Sequence, residues 1–195
     1  MNKLDGFYQL KTLTLPTVDW VEYKGQSLDR DILWTVRSAV FSGDDFNLPR
    51  AVGVSADEAE RFAAARRELL GGEGIVVVYP FFVADKSGTV TVSSEKTEIE
   101  CVLGDLWNLV THGRSDYSAV FNGENRVNQY GNPTAMTDSE IKYILECGEK
   151  LRRFFRSEIA EGKTVYAEWS FAYNCAVNGS KTGERYAVFY ELRTI

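Results

Sequence analysis

The 195 residues carry 28 acidic and 22 basic side chains, a formal charge of −6 at neutral pH, and an apolar fraction of 44%. A chain of this length can bury a sizeable core in one domain, and its negative balance argues against a general nucleic-acid-binding surface while leaving room for a local basic site. It holds no run of about 18 apolar residues, the length a membrane-spanning helix needs.

The N-terminal Met-Asn-Lys-Leu-Asp-Gly lacks the apolar stretch of a signal peptide, so a cytoplasmic location and no membrane partner are expected. Cys101, Cys147 and Cys175 are odd in number and far apart, as expected of buried thiols in a reducing compartment.

Lys3 to Leu13 reads as a short helix with Leu4, Phe7 and Leu10 on one side, stopped by Leu15-Pro16. Asp31 to Ser38 reads as a strand, with Arg37 near its end as either a surface residue or an anion ligand. Ser42 to Arg50 reads as a loop. Ser55-Ala-Asp-Glu58 is a capping box that opens a helix to about Leu70, with Ala59, Phe62, Ala63, Arg66 and Leu69 at helical spacing and Gly71-Gly72 ending it.

Ile75 to Phe82 is a continuous apolar run, the pattern of a central strand covered on both faces. Its pairing should end or bulge at Pro80, which has no N–H. Asp85 to Gly88 reads as a turn, followed by strands over Thr89–Ser93 and Glu98–Leu103 and a short helix over Asp105–Val110. The polar, glycine- and asparagine-rich stretch from Thr111 to Ala135 reads as a mobile loop. Thr137-Asp-Ser-Glu140 is a second capping box, beginning a helix to about Ala160 whose apolar stripe is Ile141, Ile144, Leu145, Leu151, Phe155 and Ile159.

The last thirty residues read as a β-hairpin, with arms Thr164–Phe171 and Tyr186–Arg193 and a turn over Asn178–Gly183. With the turn centred between Gly179 and Ser180, Glu168 falls opposite Glu191 and Tyr166 opposite Arg193. Like charges directly opposite destabilise a sheet. A Mg²⁺ ion between the carboxylates would remove that penalty, with Arg193 beside it for phosphate. The other reading is two solvated glutamates on a sheet edge, and a one-residue slip would separate them.

The common motifs are absent. Asn178-Gly-Ser-Lys-Thr182 lacks the order of a P-loop and joins two strands. No dinucleotide fingerprint follows a strand. The single histidine, His112, cannot build a multi-histidine metal site, and no Cys-x-x-Cys suggests zinc.

Several collinear segments resemble the nucleotide-binding domain of phosphoenolpyruvate synthase and pyruvate phosphate dikinase, an ATP-grasp fold. The segments are Val36-Arg-Ser-Ala39, the strand Val76–Phe82 followed by Ala84-Asp-Lys-Ser-Gly-Thr89, Ile99-Glu-Cys101, Met136–Glu140, Tyr166-Ala-Glu-Trp169 and the terminal Ala187–Ile195. Lys3 sits before Leu15-Pro16 where that family has a lysine. The resemblance implies an α+β, ATP-grasp-like fold of antiparallel sheets with flanking helices, one abridged domain with lobes roughly 1–75 and 76–195. It implies ATP and Mg²⁺ as ligands. Glu168 and Glu191 would hold the metal, Arg37 and Arg193 would contact phosphates in catalysis, and Lys3, Tyr79 and Phe81 would line the nucleotide site.

The chain departs from the family where Gly104-Asp-Leu-Trp107 replaces a Gly-Leu-Gly-Glu segment, at Tyr79 and Glu191 in place of glutamines, and in its shortness. No phosphohistidine domain is present, so a separate phosphohistidine-carrying chain or another protein is the expected partner. The functional expectation is an ATP-dependent phosphotransferase- or ligase-type domain with an unspecified acceptor. The alternative is a non-catalytic scaffold that senses a nucleotide or binds a protein. The enzymatic reading requires Glu168, Glu191, Arg37 and Arg193 to converge on one open cleft, and it fails if Trp107 or Tyr79 fills that cleft.

Overall fold

A computed structural model describes residues 3–43, 48–106, 109 and 113–195. Trp107, His112 and half of the helix expected over Asp105–Val110 lie outside the described residues. The fold is α+β with two antiparallel sheets. The first has four strands in the order β1-β4-β2-β3, formed by β1 (Val21–Glu22), β2 (Trp34–Val40), β3 (Arg50–Val54) and β4 (Gly74–Pro80). The second has six, in the order β10-β9-β5-β6-β7-β8: β5 (Phe82–Val92), β6 (Thr97–Leu103), β7 (Tyr117–Asn122), β8 (Asn125–Gly131), β9 (Val165–Cys175) and β10 (Lys181–Thr194). The chain crosses from one sheet to the other at Phe81, whose N–H donates to the Leu33 carbonyl at 2.8 Å.

Each sheet carries a helix on its outer face. Helix α2 (Ala56–Leu70) is held by the expected capping box, with the Ser55 N–H donating to Glu58 Oε2 at 3.1 Å, and ends at Gly71 in the left-handed region. Its Ala56, Ala59 and Ala63 pack on Val36, Val76 and Val78. Small side chains there let the helix approach the sheet. The expected stripe is narrower than it reads in sequence, since Leu69 is 72% exposed.

Helix α3 (Asp138–Phe154) begins at Thr137 with a second capping box. The box's second member, Glu140, also receives Lys86 Nζ at 2.9 Å and an Arg185 nitrogen at 2.6 Å, which ties the helix start to β5 and β10. The helix expected to run to Ala160 breaks at Phe155 and resumes as α4 (Arg156–Ala160). Ile141, Ile144, Leu151, Phe155 and Ile159 pack into the main core with Trp169, Tyr117, Phe121 and Phe189.

Helix α1 (Lys3–Thr12) fills part of the space between the inner faces of the sheets. Leu4 and Phe7 join a cluster that mixes Ala39, Ile75, Val77 and Tyr79 of the first sheet with Ala172 and Val188 of the second. The backbone of α1 comes against β10 at Gly6, where a Cβ would collide with the Leu192 carbonyl. As its apolar run suggests, β4 is central and covered on both faces: Val76 and Val78 face α2, while Ile75, Val77 and Tyr79 face inward. Its pairing stops at Pro80.

Four local expectations are corrected. Asp85–Gly88 is not a turn but the middle of β5, an 11-residue strand with an irregularity between Ala84 and Lys86. Gly88 is there because the Trp169 ring lies across it. The stretch 111–135, expected to be a mobile loop, contains the β7–β8 hairpin, with Tyr117, Ala119 and Phe121 alternating into the core. Its polarity reflects β8, an edge strand exposed along most of its length. Arg50–Val54 is strand β3, where a loop is expected up to Arg50. The strand expected at Asp31–Ser38 spans Trp34–Val40. The three cysteines are buried and free.

Gly88→Ala should destabilise the protein by about 2–3 kcal/mol, because a Cβ there overlaps the Glu100 carbonyl and the Trp169 ring. Urea unfolding checks this; a variant as stable as the parent would show that Trp169 can repack freely.

Candidate functional site

A cleft of about 390 Å³ opens between the inner faces of the two sheets. That lies within the size range of small-molecule sites. All seven residues singled out in the sequence line it: Lys3, Arg37, Tyr79, Phe81, Glu168, Glu191 and Arg193. Strand periodicity explains the grouping on β2, β3 and β9. Thr35 and Arg37 of β2 lie opposite Val52 and Arg50 of β3, and all four point inward with Tyr79 of β4. From the larger sheet come Ser87 of β5, Glu168 and Ser170 of β9, and Tyr190, Glu191 and Arg193 of β10. Tyr79 is buried in the wall, and among the described residues the cleft stays open.

The opposed pairs form as expected, Glu168 with Glu191 and Tyr166 with Arg193, but by a different route. The turn is centred on Asn178, with Ala176 N–H donating to the Ser180 carbonyl at 2.9 Å. Register shifts between Thr182 and Tyr186 and between Phe189 and Glu191 then bring the carboxylates opposite. The second shift is decisive. Val188 and Tyr190 face inward, Phe189 and Leu192 enter the outer core, and the extra residue at Tyr190 turns Glu191 and Arg193 inward as well.

Glu191 is the electrostatic centre. Arg37 is 8% exposed; its Nη2 donates to Glu191 Oε2 and its Nη1 to the Tyr190 carbonyl at 3.2 Å. Arg193 Nε donates to Glu191 Oε1 at 2.7 Å. Burial alone would raise the Glu191 carboxyl, but the charges of Arg37 and Arg193 prevail and hold it below the usual carboxylate range. Arg37 stays protonated: burial pulls it down, and Glu191 more than offsets that.

Glu168 is in the opposite situation. Withdrawal from water, then the charge of Glu191, push its carboxyl up, although Arg37 and a 3.0 Å hydrogen bond from the Tyr166 hydroxyl oppose this. Burial also raises Tyr166 and Tyr190, which remain neutral hydrogen-bonding groups.

Arg50, Ser170, Thr35, Tyr190 and Asp105 also line the cleft and are not among the residues singled out from sequence. Thr35 and Ser170 stand two residues from Arg37 and Glu168, so alternation alone could find them. Arg50 reads as the last residue of a loop, and the strand it opens, β3, is not among the expected elements. Tyr190 could not be found by alternation, which places it on the opposite face from Glu191. Four cationic side chains, Lys3, Arg37, Arg50 and Arg193, stand against the three carboxylates of Glu168, Glu191 and Asp105, a balance suited to an anionic ligand. The rings of Phe81, Phe82 and Tyr190 adjoin the charged end, with Phe82 and Tyr190 centroids 5.6 Å apart.

Removing Arg37 as Arg37→Met leaves Glu191 buried with one arginine and should cost about 3–5 kcal/mol in urea unfolding; a loss under about 1 kcal/mol would mean that Glu191 is solvated. Glu168 binds a proton more readily folded than unfolded, so its ionisation subtracts stability as pH rises out of the carboxylate range. Glu168→Gln should therefore flatten the fall in stability between mildly acidic and mildly alkaline pH. Parallel urea-midpoint profiles for the two proteins would contradict this.

No protein-family model matches the chain, and a search of curated proteins finds no match.

Proposed function

We propose that the cleft binds ATP with Mg²⁺, and that the chain is an ATP-grasp-like domain of phosphotransferase or ligase type. The observation that supports this is the convergence of Arg37 from one antiparallel sheet and Glu168, Glu191 and Arg193 from the other on a single cleft. The donor set suits the metal. Mg²⁺ is commonly held by one or two carboxylates together with substrate phosphates, and Glu168 and Glu191 are two hard oxygen ligands at opposed positions. Bound there, the ion would neutralise phosphate charge.

The protein's own groups divide the remaining work. Arg37 and Arg193 present guanidinium donors to phosphate oxygens, and a preorganised donor strengthens as charge develops on the transferred group. Lys3 and Arg50 add positive potential at the cleft. Phe81 and Phe82 offer apolar surface for a base. With the Phe81 N–H already given to Leu33, base recognition falls to ring faces and to other backbone groups. The acceptor comes from outside the chain, as a small molecule or a separate phosphohistidine-bearing protein.

A second reading has its own support. Both oxygens of Glu191 accept from arginines in the ligand-free cleft, which suits a scaffold that binds a nucleotide or a protein without chemistry. Calorimetry with ATP separates binding from its absence. Mg²⁺-dependent binding in the micromolar range, weakened at least about tenfold in Glu168→Ala, is the expected result. No binding at millimolar ATP would overturn the nucleotide reading, and the search would turn to protein partners.

A further inference from the structure

We infer that Glu191 is a latch that changes partners when a polyphosphate enters, so that the anion and the divalent cation bind the cleft cooperatively. The inference rests on the nucleotide reading above and adds a regulation to the same site.

Arg37 reaches from β2 of the smaller sheet to β10 of the larger one. It grips two acceptors there, the Tyr190 carbonyl through Nη1 and Glu191 Oε2 through Nη2. Arg193 takes the other Glu191 oxygen at 2.7 Å. Each carboxylate oxygen is thus already bonded to a guanidinium. A phosphate entering the cleft competes with Glu191 for these same N–H groups. The bulge keeps a backbone carbonyl on Arg37, so the arginine is still positioned when the carboxylate leaves.

Once displaced, Glu191 is a buried carboxylate directly opposite Glu168. That is the arrangement that a sheet disfavours and that a divalent cation relieves. Anion binding therefore prepares the cation site, and a cation that draws Glu191 away prepares the arginines for the anion. Linkage makes the two effects equal in size, and couplings of this kind run from roughly 5-fold to 150-fold.

The test is calorimetry with inorganic tripolyphosphate in the presence of a metal chelator, using the parent protein, Glu191→Gln and Glu168→Gln. Both variants remove one carboxylate charge, but only Glu191 holds the arginines. Glu191→Gln should bind metal-free tripolyphosphate about tenfold more tightly than the parent, and Glu168→Gln should change it by less than about threefold. Adding Mg²⁺ should strengthen tripolyphosphate binding far more in the parent than in Glu191→Gln. Equal affinity of the parent and Glu191→Gln, or equal gains in the two variants, would overturn the latch while leaving Mg²⁺-dependent ATP binding intact as a separate result. Should the parent bind neither ATP nor tripolyphosphate, both the latch and the nucleotide reading fall. A readout needing no variant is the Arg193 Nε–H resonance, which should move on addition of tripolyphosphate; an unmoved resonance at saturation would overturn the latch even if Glu191→Gln fails to fold.

Discussion

Two antiparallel sheets meet across a buried ion pair, and the rest of the cleft is built around it. Arg37 and Glu191 come from different sheets and are both nearly withdrawn from water. Removing two charges from water costs several kcal/mol per ion, and their attraction repays it only with good geometry and further hydrogen bonds. Arg193 and the Tyr190 carbonyl supply those bonds. The apolar cluster around Phe7, Val77 and Val188 brings the sheets together non-directionally; the ion pair fixes which residues face each other.

The local feature that makes this possible is the bulge at Tyr190. A regular β10 would turn Glu191 toward the α3 core, where a carboxylate has no partner. One extra residue instead puts Tyr190, Glu191 and Arg193 on the same face. It also places a carboxylate opposite Glu168, which a sheet selected for stability alone would avoid. A strand irregularity, an opposed carboxylate pair, the buried Arg37 and the half-buried Arg193 meet at one point, a combination that stability alone does not favour.

Much of the architecture is legible in the sequence because it rests on local chemistry. The two capping boxes fix the starts of α2 and α3, the apolar run fixes β4, and Pro80 fixes its end. The candidate site is legible in part because Arg37 and Glu168 fall on strands whose period of two can be counted, whereas Glu191 faces the cleft only through the bulge. The failures also have physical causes. Gly88 reads as a turn residue, yet it is needed for the close approach of Trp169. The β7–β8 hairpin reads as a loop because its outer strand buries almost nothing. The carboxylate register is anticipated correctly from the wrong turn, since the shifts along β10 compensate and leave no mark in composition.

The most direct measurement is a crystal structure grown with a non-hydrolysable ATP analogue and Mn²⁺, whose anomalous signal locates the ion. The account requires the ion beside Glu168 with the phosphates on Arg37 and Arg193. Ligand bound elsewhere on the protein, or an Arg37–Glu191 pair still intact at saturating analogue, would contradict it.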